Sequence, residues 1–181
     1  MAVRVCLCLA LLRRCALANV HAVPCTDVSV DLQSTVHVRV LDVDSAALQP
    51  NNLWPKELPR VDGVIICYDA SDESSFARVP ELLGALVHLR FPTRTNPRKF
   101  PAGYHSLSMS LIVLACKADL PQAVRPDTVA DLCHPYNVGL VEVTVTTDAG
   151  KKKMRNAFSW QVKAITRTRS KQHPPLSLGA P

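Results

Sequence analysis

The stretch Ser110-Leu-Ile-Val-Leu-Ala-Cys-Lys-Ala-Asp-Leu120 decides how the rest of the chain reads. Leu111 to Ala115 is an unbroken apolar run, β-branched at Ile112 and Val113. A run apolar on both faces suits a strand buried inside a parallel sheet, because a half-exposed strand would alternate. Polar chemistry begins at its carboxyl end, with Cys116, Lys117 and Asp119. In an open α/β sheet that end is where ligands bind. A carboxylate there can accept two donors in a charge-assisted pair, and a lysine stem can lie across a flat group. A strand leaving through an ordinary Lys-Ala-Asp turn would look the same in isolation, so the neighbouring segments have to decide.

Moving outward, Val61–Tyr68 is a second apolar strand with Val64-Ile65-Ile66-Cys67 at its centre. Asp69, Ser71 and Asp72 are candidate caps for a following helix. Phe76, Val79, Leu82, Leu83, Leu86 and Val87 recur at helical spacing, with Pro80 forcing a kink or restart. On the other side, Pro126–Cys133 reads as a short helix capped by Asp127, Val138–Val143 as a strand and Thr144–Thr147 as a turn. Lys151–Ile165 is a final helix with Met154, Phe158, Val162 and Ile165 on its apolar face. Towards the N-terminus, Val28, Val30 and Leu32 alternate, then Val36, Val38 and Val40, which predicts a hairpin turning near Gln33–Thr35. Pro50, Pro55 and Pro59 make Ala46–Pro59 an irregular loop, with Leu53 and Trp54 tucked against the body.

Strands alternating with helices demand helices packed on both faces of a mostly parallel sheet, so the expected class is three-layer α/β. The 181 residues favour one domain, over residues 26–168. Residues 90–110 interrupt it. Pro92, Pro97 and Pro101, with Arg94, Arg98 and Lys99, predict a disordered basic insert, with about Pro92–Leu107 outside the packed domain. Residues 169–181 are expected to be a disordered tail. Residues 1–25 stay unassigned: Arg4, Val5–Leu12 and Ala16-Leu17-Ala18 imitate a secretory signal, but Arg13 and Arg14 interrupt it where a signal would not carry them.

Seven scattered cysteines without a CxxC pair argue for a reducing compartment and against structural zinc. No apolar run approaches the ~20 residues of a membrane helix. These features predict a cytoplasmic protein. Charge is unevenly placed: after Asp148 there are eight basic residues and no acid, which leaves 13 basic and 15 acidic residues for the rest. A basic helix suits an acidic protein or an anionic membrane surface, so the expectation includes peripheral membrane contact. Nucleic acid is not expected, because no aromatic residues interleave the basic ones in a known motif.

Four segments in order and spacing make the chain from about Val36 to Ile165 resemble the Ras superfamily of small GTPases. Val40-Leu-Asp-Val-Asp-Ser45 resembles the strand that ends in the family's Asp-x-x-Gly motif. Gly63-Val-Ile-Ile-Cys-Tyr-Asp69 through Ser75-Phe76 resembles its fourth strand and third helix start. Cys116-Lys117-Ala118-Asp119 is similar to the guanine motif Asn-Lys-x-Asp, and Glu142-Val-Thr144-Val145-Thr146 to Glu-Thr-Ser-Ala-Lys. Trp54-Pro-Lys-Glu-Leu-Pro-Arg-Val-Asp-Gly-Val64 and Tyr136-Asn-Val-Gly-Leu-Val-Glu-Val-Thr144 resemble the GTPase-like region that precedes exchange-factor domains in some fungal Ras exchange factors.

The resemblance implies a P-loop-NTPase-like (Ras-like) fold and a guanine site at Cys116, Lys117, Asp119, Thr144, Val145 and Thr146, with Asp42 as a weak candidate metal ligand. The departures matter as much. G-x-x-x-x-G-K-[ST], which would supply the main-chain phosphate cradle, is absent, and Gly63 is the first glycine. The first strand is therefore expected to be missing or degenerate. Ser45 replaces the motif glycine, Ala46 stands where the water-positioning glutamine belongs, and Cys116 replaces the asparagine. The implied function is a catalytically inactive interaction or regulatory module with protein partners in Ras-type signalling. GTP or GDP with magnesium would bind weakly or not at all. The alternative is a guanine-nucleotide-binding GTPase whose phosphate loop is lost from this version of the chain.

Overall fold

The computed structural model describes residues 4–9, 20–22, 26–29, 35–44, 61–90 and 109–172. The elements run β1 (Arg4–Leu9), β2 (Val20–Ala22), β3 (Thr26–Ser29), β4 (Thr35–Asp44), β5 (Gly63–Asp69), α1 (Glu73–Phe76), α2 (Val79–Arg90), β6 (Ser110–Cys116), α3 (Pro126–Cys133), β7 (Gly139–Glu142) and α4 (Asp148–Gln172). A 3-10 turn at His134–Tyr136 follows α3. The sheet order is β2-β4-β1-β5-β6-β7, with β3 paired to β4.

The protein is α/β, with the parallel character confined to β5, β6 and β7. Gly63 to Asp69 pair in parallel with Ser110 to Cys116, and Ile112 to Ala115 with Gly139 to Glu142. Each crossover between these strands carries a helix, as parallel neighbours require. The other half is antiparallel, which corrects the expectation of a mostly parallel sheet: β1 runs antiparallel to both β4 and β5, and β2 and β3 run antiparallel to β4. Apolar patterning reveals that a strand exists and how deeply it is buried; it carries no information about direction. The same ambiguity explains β1. Its Arg-Val-Cys-Leu-Cys-Leu imitates a leader in sequence, yet occupies a central slot of the sheet.

Alternation along β5 and β6 divides the core in two. Val64, Ile66 and Tyr68, with Leu111, Val113 and Ala115, face α2 and α3 through Leu82, Leu83, Leu86, Val129 and Cys133. Ile65, Ile112 and Leu114 face α4 through Ala157 and Ile165, with Met154 and Phe158 packed on the rim. Helices therefore cover both faces, and the unbroken apolar runs are the direct reflection of that double burial. Burying such side chains stabilises by roughly 1.5–3 kcal/mol each, which makes the sheet interior the main source of cohesion.

Local signals act as the residue types dictate. Asp72 caps α1, its carboxylate accepting from the Ser74 N–H at 2.9 Å. The helix then stops and restarts at Val79, so Pro80 falls in a first turn, where its missing N–H costs nothing. Asp127 does not cap α3. It lies inside the first turn, and Arg125 occupies the cap position without a side-chain bond. Pro126, fixed at a helical φ, starts this helix instead. Helix α4 runs from Asp148 to Gln172, beyond the expected end at Ile165 and into the expected tail, because Thr166 to Gln172 include no glycine or proline. The hairpin of β3 and β4 pairs Ser29 with Thr35, so Thr35, expected in the turn, belongs to the strand, and the rest of that expected turn lies outside the described residues. The expected loop at Ala46–Pro59 lies outside the described residues. So does the basic insert between Arg90, which ends α2, and the buried Met109. Among the described residues no helix is long and apolar enough to cross a membrane.

Candidate functional site

The parallel register brings Asp69, the last residue of β5, opposite Cys116, the last residue of β6. The next residue, Lys117, turns back with φ of 56°, a left-handed conformation that is uncommon outside glycine. This sends its side chain across the strand ends, where Nζ lies 2.5 Å from Asp69 Oδ2. Asp69 is only 7% exposed, whereas Lys117 is 41% exposed. Ser71 completes the shell, donating to Asp69 Oδ1 from its N–H at 3.0 Å and its hydroxyl at 2.6 Å. Burial alone would raise the Asp69 pKa. The bonds from Lys117 and Ser71 outweigh it and hold the carboxyl below its ordinary value. The Lys117 ammonium is correspondingly pushed up, first by its bond to Asp69.

The loop backbone beneath this pair is stitched in place. Ala70 N–H donates to the Cys116 carbonyl at 2.9 Å, and Ala118 N–H to the Val143 carbonyl at 3.2 Å. Buried Ser75 accepts from the Asp69 N–H at 2.8 Å and donates to the Asp69 or Asp72 carbonyl, each at 2.9 Å. Ser75, in the second half of α1, thus satisfies the end of β5.

Beside it sits a second, more open cluster. Thr146 Oγ1 donates to Asp119 Oδ2 at 3.1 Å, and the Thr144 and Thr146 hydroxyls are 2.8 Å apart. Hydrogen bonds from Thr144, then from the Asp119 backbone and Thr146, hold the Asp119 carboxyl below its usual range. Gly150, in the first turn of α4, permits this packing, since a Cβ there would overlap the Thr144 carbonyl and methyl. Val145 projects outward, 61% exposed.

Five of the residues expected to form a guanine site, Lys117, Asp119, Thr144, Val145 and Thr146, therefore belong to the loops at one edge of the parallel strands, and Cys116 ends β6 beneath them. Cys116 helps to pin the loops only through its backbone carbonyl, and its side chain takes no part. Its thiol lies over the α4 face beside Cys67 and is held below its usual value, first by a hydrogen bond with Cys67 and, against burial and the Asp69 charge, by Lys117. Asp42 is placed elsewhere. It pairs with Cys6, which pairs with Ile65, so it lies level with the middle of β5, four residues short of Asp69. Among the described residues no three His, Cys, Asp or Glu side chains converge as metal ligands would. The candidate metal ligand and the base-side groups are thus set apart along the sheet, and no chemistry is routed through a metal.

Asp69 is the functional-looking residue that sequence reasoning used only as a helix cap. Its partner lies 48 positions away, and only the parallel register joins them. Gln161 was equally hidden. It is fully buried among apolar neighbours of α4, donating to the Val64 and Ser110 carbonyls at 3.2 and 2.8 Å and accepting from the Ser110 hydroxyl at 2.9 Å. No family model matches the chain, and no curated protein matches it.

Proposed function

We propose that the chain is a catalytically inactive, Ras-like GTPase-fold module that works through protein contacts in Ras-type signalling and binds GTP weakly or not at all. The observation that carries this reading is the internal pairing at the strand ends. Lys117, whose stem would cover a base, is spent on Asp69, and Asp119, whose carboxylate would take the base edge, already accepts from Thr146. A nucleotide would have to displace both contacts to reach the same atoms.

A second feature agrees. Ligand sites of such sheets form where strands end at the carboxyl edge. Strand β1 runs the other way, with Cys8 beside Gly63, so its last residue lies at the edge opposite Asp69 and Lys117. A loop following β1 would start far from the base-side groups. The sequence also lacks the glycine-rich lysine motif that cradles a triphosphate.

The alternative, a guanine-nucleotide-binding GTPase, draws support from Lys117 and Asp119 sharing one edge. Titration of the full chain with fluorescent GTP, with and without magnesium, separates the two. The expected outcome is no saturable magnesium-dependent signal and no phosphate release above buffer. Saturable binding that Asp119→Asn abolishes, or phosphate release that Asp42→Ala abolishes, would establish the alternative.

A further inference from the structure

The outer arc of α4 carries a feature that the site at the strand ends does not use. Ala157, Gln161, Val162 and Ile165 are buried against the sheet, which settles the helix's orientation. Lys153, Asn156, Trp160, Lys163 and Arg167 follow one another at steps of three and four and are all exposed, so they form one continuous stripe away from the sheet. Lys152 lies beside Asn156 on the same arc, and Lys151 and Arg155 are exposed on the opposite shoulder. From Lys153 to Arg167 the stripe is about 21 Å long at 1.5 Å per residue. After Asp148 the helix has no acid to neutralise it. At its middle sits Trp160, 53% exposed, a large indole that the core leaves uncovered.

A solvated helix face explains the lysines but not the tryptophan. An exposed indole among cations is the chemistry of the membrane interface: the ring settles at headgroup depth while the charges meet anionic phosphates. The shape favours the same partner. Seated along its length on the sheet, α4 offers only a flat outer arc. Reading a nucleic-acid groove requires a helix that inserts, and stacking on single strands requires successive aromatics.

We propose that α4 docks the domain on an anionic lipid surface, with Trp160 entering the headgroup layer and Lys152, Lys153, Lys163 and Arg167 contacting lipid phosphates and carboxylates. This reading is independent of whether nucleotide binds at the strand ends.

The test uses the full chain with Trp54→Phe, which leaves Trp160 as the sole tryptophan. Vesicles of equimolar phosphatidylcholine and phosphatidylserine should shift Trp160 emission to the blue and carry the protein down on sedimentation. Vesicles of phosphatidylcholine alone should do neither. Raising salt should release the protein, since free charges are screened over ~8 Å at physiological ionic strength. Removing two cations with Lys152→Gln and Lys163→Gln should weaken binding about 25-fold, at roughly fivefold per charge, and flatten the salt dependence. Trp160→Ala should weaken binding in parallel at every salt concentration. The salt comparison on the parent chain needs no substitution, so it stands even if a variant folds poorly. An unchanged emission spectrum with both vesicles overturns the proposal. So does an equal shift with both, or saturation by a single-stranded oligonucleotide at lower concentration than by vesicles.

Discussion

At the amino ends of β5 and β6, Gln161 meets the Val64 and Ser110 carbonyls and the Ser110 hydroxyl with no exposure to water. At the carboxyl ends of the same two strands, Lys117 meets Asp69 with 41% of its side chain in water, and Asp119 meets Thr146 fully at the surface. Both ends join elements distant in sequence through polar side chains. They differ in dielectric. The sealed end uses neutral groups, whose every donor and acceptor has a partner, and so behaves as part of the core. Gly63 belongs to this seal: a Cβ there would lie 2.6 Å from Gln161 Nε2 and 2.7 Å from Ile165 Cδ1. The open end uses charges that water can re-solvate, so its contacts add little to stability, although a ligand must still displace them to reach the same atoms. Stability therefore resides at one edge of the sheet and adaptability at the other.

The largest expected effect tests the sealed end. Gln161→Ala empties a fully buried site and leaves Ser110 and two strand carbonyls without their partner. It should cost about 3 kcal/mol from cavity and desolvation terms together. Denaturant unfolding measures it. A loss no larger than that of an exposed substitution on α4 would erase the distinction between the two ends.

Lys117→Met probes the intermediate case. Because the lysine is partly exposed, the loss near neutral pH should be clearly smaller than that of Gln161→Ala. The pH dependence follows from the two shifts. The Asp69 pKa is lowered from 3.8, so its pairing stabilises above that value and is lost as pH falls through the lower folded value. The Lys117 pKa is raised from 10.5, so its contribution is complete below that value and is lost as pH rises through the higher folded value. The difference between parent and variant should thus persist through the neutral range, shrink in acid as Asp69 takes up its proton and shrink in alkali as Lys117 loses its own. A difference confined to the region around pH 7 would contradict the pair.

Thr146→Val should have the smallest effect, under about 0.5 kcal/mol, since the bond it removes is exposed. Its sharper readout is Asp119, whose carboxyl should titrate closer to its ordinary value once the Thr146 hydroxyl is gone. Carboxylate carbon shifts followed by NMR would show an unchanged titration if the Thr144 hydroxyl and the Asp119 backbone alone hold the charge.

The legible parts of this molecule are those governed by neighbours in sequence. Double burial leaves an unbroken apolar run, so β5 and β6 and the helices between them follow from Val64-Ile65-Ile66 and Leu111–Ala115. Pro80 and Asp72 act within one turn of themselves, and the helix restart and the α1 cap follow locally. Lys117 and Asp119 stand out because they follow directly on a buried strand, at the end where ligands bind in an open α/β sheet. Direction, partner and depth are not local quantities. Only the assembled sheet sets β1 antiparallel between β4 and β5, because a strand's pattern is the same read either way. Asp69 and Lys117 become a pair only through parallel register, and Asp42 is kept from them by its level in β4. Gln161 is buried and Trp160 exposed against their residue types, because the rotation of α4 on the sheet is decided by packing as a whole rather than by any one side chain.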